Sequence, residues 1–304
     1  MIILLNVVLS LLGIGNFLKN KTMKKFVYGK DDALFGHIEE QQDGKPFGNV
    51  LDAGSGSHSL RWIATLEGKG MTSFTAVTAD KNMQLRIMDE AQNLGVLVEE
   101  NHIVVGNWFG TSNDTTTNES FSSSSIDLPH DQYDTIIADY LIGAMDGFSP
   151  YRQEEMIPKL VALLKPGGNL YIIGLEPIPE KTDGPANIIC KVRRTRDACI
   201  QLAGHRCYRE YPVQWIQNQI EKIPDFVLKG TEKFPILYRY DTILRQIDVG
   251  RRKFPFFPKP ELVDAMKVVL DELDEEAREL TSTDTPIKYG FDYVVSAQKK
   301  LYPK

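Results

Sequence analysis

Apolar residues in this chain gather in short runs, each closed by an acid or a glycine turn, with helical periodicity between them. Val50 and Leu51 form the first run and Asp52 closes it. Gly54 and Gly56 follow, then Leu60, Ile63 and Ala64 recur at helical spacing. That is a strand, a tight turn and a helix. Ser73 to Thr78 carries Phe74, Ala76 and Val77 and ends near Asp80, before the helical repeat Met83, Leu85, Ile87, Met88. Ile103-Val104-Val105 predicts a third strand, and Tyr133 to Ala138 a fourth, ending at Asp139. A helix over Arg152 to Leu164 is stopped by Lys165-Pro166-Gly167-Gly168, and Asn169 to Gly174 is the fifth strand. Strands alternating with helices predict an open parallel α/β sheet.

The second half is less regular. Pro177, Pro179 and Pro185 break residues 176–211, which read as an irregular, partly helical cap. Pro212 suits the first turn of a helix over Val213 to Glu221. Asp225 to Leu228 and Ile236 to Arg239 are strand-like. Glu261 to Leu280 is a long acidic helix with Leu262, Met266, Val269 and Leu273 on one face, and Phe291 to Ala297 is the last strand.

Two stretches stand outside this pattern. Residues 1–18 are nearly all apolar and are followed by Lys19, Lys21, Lys24 and Lys25. Eighteen residues is marginal for a span. A signal or anchor, an amphipathic surface helix and an extension before a start at Met23 all fit. The chain therefore divides into a segment 1–22 and a folded domain 23–304, opened by a helical lead-in with Phe26, Leu34, Phe35 and Ile38. The expected location is cytoplasmic, or membrane-associated through residues 1–18. Residues 111–131 are rich in Ser, Thr and Asn and predict a polar surface insertion. Asn20, Asn113 and Asn118 begin glycosylation-type triplets there and before it.

Composition narrows the function classes. A net charge of -6 gives no support for a nucleic-acid groove. Cys190, Cys199 and Cys207 have neither disulfide-scaffold nor zinc-ligand spacing, so no metal is expected.

The Gly54–Gly56 turn carries the first candidate chemistry. It lets the backbone approach a ligand and aims N–H groups and a helix N-terminus at it. Ser59 stands where the last glycine of a dinucleotide fingerprint would be, and no Lys-Ser/Thr completes a P-loop. Asp80, at the end of the second strand, suits two ribose hydroxyls or the cap of the next helix.

Val50 to Gly56, Asp80, Gly106-Asn107-Trp108, Tyr133-Asp134 before Asp139, and Leu164 to Gly168 together resemble the class I S-adenosylmethionine-dependent methyltransferases. The resemblance covers residues 48–175 best. It implies a doubly wound, Rossmann-like, seven-stranded and mostly parallel sheet with an antiparallel last strand. It also implies S-adenosylmethionine as cofactor. Asp52, Gly54 and Gly56 would line its methionine part and Asp80 its ribose. Asn107 and Trp108 would lie near the adenine, and Asp139 at the exit of the fourth strand. Asn107 stands where the family often has an acid, and His58 where it often has a small residue. The Asn-Pro-Pro-Tyr signature of nucleic-acid and glutamine methylating relatives is absent.

The acceptor expected is a small molecule, not a nucleic acid. Methyl transfer from a sulfonium needs alignment and exclusion of water, and a base only where the nucleophile carries a proton. Candidate bases are His58, Asp146, Glu176 and His205. Tyr140, Phe148, Tyr208 and Tyr211 are candidates for the acceptor wall. Arg193, Arg194, Arg196, Arg206 and Arg209 crowd the cap and suit a carboxylate or phosphate, or simply wet a helix. The alternatives are a nicotinamide-dependent oxidoreductase and a non-catalytic cofactor-binding protein.

Overall fold

The computed structural model describes residues 33–79, 81–94, 102–110, 125–282 and 285–301. Seven strands form one sheet in the order β3-β2-β1-β4-β5-β7-β6. They are β1 (Gly48–Asp52), β2 (Met71–Thr78), β3 (Ile103–Val105), β4 (Tyr133–Asp139), β5 (Leu164–Leu175), β6 (Phe226–Tyr238) and β7 (Ile287–Lys299). The first five pair in parallel, and β7 lies antiparallel between β5 and β6. This is the doubly wound, Rossmann-like arrangement. The parallel strands carry near-continuous apolar runs, as strands covered on both faces require. Val50, Leu51, Ile136, Ile137 and Leu170 are fully buried.

The chain order reverses beside β1, whose neighbours are β2 and β4. Ligands of open α/β sheets bind outside the carboxyl ends of the strands at such a switch point. Asp52 and Asp139 close those two strands. Asp134 anchors the opposite end of the sheet. Its Oδ2 accepts from Asn49 N and Lys165 Nζ, each at 2.8 Å. Gly48 has φ 64°, and a Cβ there would lie 2.5 Å from that same oxygen.

The helices are α1 (Ala33–Gln42), α2 (Ser57–Ile63), α3 (Lys81–Leu94), α4 (Leu141–Ala144), α5 (Gln153–Leu163), α6 (Asn187–Leu202), α7 (Val213–Glu221), α8 (Tyr240–Arg251) and α9 (Pro260–Leu280). Four features differ from the sequence reading. The two strand-like pieces after residue 225 are one strand, β6, broken by register shifts at Leu228/Gly230 and Pro235/Leu237. As the edge strand it tolerates a proline that a central strand would not. Helix α8 was not anticipated. Its Ile243 and Ile247 bury one stripe against α6 and α9, and with Leu270, Leu273 and Ala277 build a second apolar core. The buried face of α9 is that last trio, whereas Val269 is 39% exposed. Within 176–211, the partly helical cap is more regular than expected, with one packed helix, α6.

The membrane expectation is corrected. Among the described residues no helix is long and apolar enough to cross a membrane. The apolar run 1–18 lies outside the described residues, as do Asp80, the insertion 111–124 and the glycosylation-type triplets. The longest described helix, α9, is charged along most of one face and packs on the second core through the other. Membrane association and a membrane location are withdrawn.

Candidate cofactor and acceptor site

A cleft of about 300 Å³ opens at the switch point, lined by Gly54, Ser55, Asn107, Trp108, Asp139 and Phe148 among others. Asp52 lies beneath it, 1% exposed. Its Oδ2 accepts from Ser59 Oγ at 2.7 Å, and Oδ1 has no hydrogen-bond partner among the described residues. Burial pushes the Asp52 carboxyl up to about 7, helped by the neighbouring Asp139 charge and opposed by the Ser59 bond. Ser59 therefore does more than replace a glycine. Its hydroxyl also accepts from Gly56 N at 3.3 Å, tying the turn to the acid below it.

Asp139 lines the same cleft. His58 Nδ1 lies 3.2 Å from its Oδ2, and Oδ1 has no partner among the described residues. The Phe35 ring of α1 rests on His58, with centroids 4.7 Å apart. The next residue, Tyr140, takes the left-handed conformation at φ 49°. Close by on β7, burial pushes the Asp292 carboxyl up to about 6, with the Asp139 charge adding to the rise. Three acids from β1, β4 and β7 thus converge around this end of the sheet.

Trp108 Nε1 donates to Ala53 O at 2.8 Å, fixing the indole across the turn. Asn107 donates to Phe148 O at 2.8 Å, and its carbonyl oxygen accepts from both Ser149 Oγ and Phe109 N. That oxygen has both lone pairs engaged, so Asn107 shapes the cleft by holding its walls.

The ring pair Phe148 and Tyr208, centroids 6.3 Å apart, borders both the cleft and a second chamber of about 730 Å³. The chamber is lined by His205, Arg206, Arg209, Glu210 and Lys253, together with Arg193 and Arg196. Arg193 is bound to Glu180 at 2.7 Å and Asp197 at 3.4 Å, and Arg196 to Asp197 at 2.7 Å and Gln246 at 2.6 Å. Arg194 is exposed and lies outside the chamber lining. Arg206 and Arg209 share one carboxylate, Asp146, at 3.9 and 3.8 Å. Lys253 Nζ meets His205 Nδ1 at 3.1 Å. Burial and that lysine hold the His205 imidazole below its usual range.

Two of the candidate bases also hold structure in place. Glu176 Oε2 accepts from Val213 N at 3.0 Å, satisfying the first turn of α7. Asp146 is buried and faces Arg206 and Arg209. Tyr211 packs its ring on Trp215 at 4.4 Å and lines neither cavity. Glu210 was not anticipated. Burial pushes its carboxyl up to about 7. A Cβ on Gly143 would lie 2.5 Å from its Oε2, so a glycine at that place in α4 makes room for the acid. No periodicity marks Glu210 or Lys253, because neither belongs to a motif.

No family model matches the sequence, and no curated protein matches it. Solved structures do match. The YcgJ protein from Bacillus subtilis superposes with a TM-score of 0.51 at 16% identity, over 89% of this chain and 99% of that one. A candidate methyltransferase from Bacillus halodurans superposes with a TM-score of 0.53 at 11% identity, over 89% of this chain and all of that one. At such identities the likeness concerns the fold. The chain shares with these structures a Rossmann-like fold, a seven-stranded, mostly parallel sheet with an antiparallel last strand.

Proposed function

We propose that the protein transfers a methyl group from S-adenosylmethionine to a small-molecule acceptor. The observation that carries this reading is the pair of unpartnered carboxylate oxygens, on Asp52 and Asp139, at the switch point. A buried carboxylate oxygen without a partner is costly unless a cation or donor meets it. A cofactor bearing an ammonium and a sulfonium supplies that charge. A dinucleotide pyrophosphate would bring two negative charges to the same acids, which disfavours the nicotinamide alternative.

The residues present fit the cofactor. Gly54 lines the cleft, and a Cβ there would lie 3.0 Å from Leu141 Cδ1, so a side chain would compete for the space. The turn from Ala53 to Gly56 would hold the methionine part, with Asp52 and Asp139 facing its charge. Asn107 and Trp108 would wall the adenine, and Asp80 keeps the ribose role implied by the resemblance. The bound cofactor supplies an electrophilic methyl group. The chain supplies the rest. Phe148 and Tyr208 separate the two cavities and limit water at their junction. Glu210 stands on the chamber side with a proton affinity near neutrality, suited to accept a proton from the acceptor.

The test is incubation of purified protein with methyl-labelled cofactor and a metabolite extract, alongside RNA and unfolded protein. The expected result is label in a small product. Label entering only RNA or polypeptide would reject the small-molecule reading.

A further inference from the structure

The whole chain carries a net charge of -6, yet the chamber beyond Phe148 and Tyr208 is cationic. Five cationic side chains, Arg193, Arg196, Arg206, Arg209 and Lys253, reach it against three carboxylates, Glu180, Asp197 and Glu210. The carboxylates are unevenly spent. Asp197 and Glu180 take the hydrogen bonds of Arg193 and Arg196. Glu210 is held partly protonated near neutral pH. Nothing comparable neutralises the other three cations. Arg206 and Arg209 split a single carboxylate at distances longer than a hydrogen bond, and Arg206 Nε is satisfied by the Asp146 carbonyl. Among the described residues Lys253 has no carboxylate within ion-pair distance, and burial and the Lys253 charge lower the proton affinity of its neighbour His205.

Much of the remaining lining is apolar: Leu175, Pro177, Ile178, Ile200 and Val249 join the two aromatic rings, and the polar Gln246 is bonded to Arg196. A volume of about 730 Å³ falls in the range of sites that enclose a whole small ligand rather than a bare ion. Guanidinium forks match the planar oxygens of carboxylate and phosphate, and a lysine adds a point charge.

We infer that the chamber binds an organic anion with an apolar body, its carboxylate or phosphate held by Arg206, Arg209 and Lys253 and its body turned toward Phe148 and Tyr208. This rests on the methyl-transfer reading for its role as acceptor, but the binding itself does not depend on it. It moves the anion site away from Arg193, Arg194 and Arg196. The first and third of these are held by carboxylates, and the second lies outside the chamber.

Phenyl phosphate, phenylacetate and the neutral benzyl alcohol are titrated calorimetrically into the full chain, with S-adenosylhomocysteine affinity measured separately. Both anions should bind at least about tenfold more tightly than benzyl alcohol. The double substitution Arg206→Gln with Lys253→Met should remove that preference, leaving benzyl alcohol and S-adenosylhomocysteine within about twofold. Arg194→Gln should change nothing. The relative strength of the two anions tells phosphate from carboxylate. Equal binding of anions and alcohol by the unaltered chain would overturn the inference, even if the double variant fails to fold. So would an anion preference that survives in a folded double variant. Loss of S-adenosylhomocysteine binding with the anion preference intact would instead strike the cofactor reading.

Discussion

The cleft and the chamber share a wall and have opposite chemistry. The cleft is small and acidic, with Asp52 and Asp139 each carrying an oxygen that no described residue satisfies. The chamber is larger and basic, with three cations short of carboxylates. The difference teaches that neighbouring cavities of one fold can offer opposite charge to what they hold, which is the basis of the two proposals above. Phe148 and Tyr208 stand where the two would meet. Two oppositely charged ligands brought together at an aromatic boundary is an arrangement suited to group transfer.

Four substitutions or conditions would break or sharpen that contrast, in order of expected size. Gly54→Leu puts a side chain into the cleft. It should cost S-adenosylhomocysteine binding about 3 kcal/mol or more, at least about a hundredfold, while phenyl phosphate binding stays unchanged by the same titration. Glu210→Gln should lower turnover by about a hundredfold, with cofactor affinity held within about twofold. On the proposed function, the unaltered protein should gain rate as pH rises through about 7, where Glu210 loses its proton, and the variant should lose that limb. Asp80→Ala should weaken cofactor binding by about 2 kcal/mol, roughly thirtyfold, because a charge-assisted bond to the ribose is lost. A change below about threefold in calorimetry would assign the ribose to another acid.

The smallest effect concerns stability. Burial raises Asp52 from 3.8 in an unfolded chain to about 7 in the folded one. Between those values the folded state holds the proton more tightly, so stability falls as pH rises from about 4 to about 7 and then levels off. Asp292 and Glu210, raised to about 6 and 7, add slopes of the same sign. Thermal unfolding across that range should show a shallower slope for Asp52→Asn than for the unaltered chain. An identical slope would mean that Asp52 is ionised in the folded protein at low pH.

The sequence makes the first half of the sheet plain because its parallel strands are short apolar runs, two of them, β1 and β4, closed by Asp52 and Asp139. The edge of the sheet is harder to read. Pro235 within β6 reads as a breaker until β6 is known to be the outermost strand. Helix α8 hides because its buried stripe is narrow, with Ile243 and Ile247 set among charges. At the site, Gly54, Asp139 and Trp108 announce themselves by motif, and they line the cleft. Ser59 looked like a lost glycine and is instead the partner of Asp52. The five arginines look alike in sequence. Only packing separates Arg193 and Arg196, bound by carboxylates, from Arg206 and Arg209, which share one. Lys253 and Glu210 come to the chamber from the α8 end and from the segment before α7, a juxtaposition that local spacing does not encode.

The central claim is that the cleft at the switch point takes S-adenosylmethionine, and its demethylated product, rather than a dinucleotide. Calorimetric titration of the full chain with S-adenosylhomocysteine and, separately, with NAD tests it most directly. The account predicts one equivalent of S-adenosylhomocysteine bound and no measurable heat from NAD. Binding of NAD alone, or S-adenosylhomocysteine binding that Gly54→Leu leaves untouched, would contradict it.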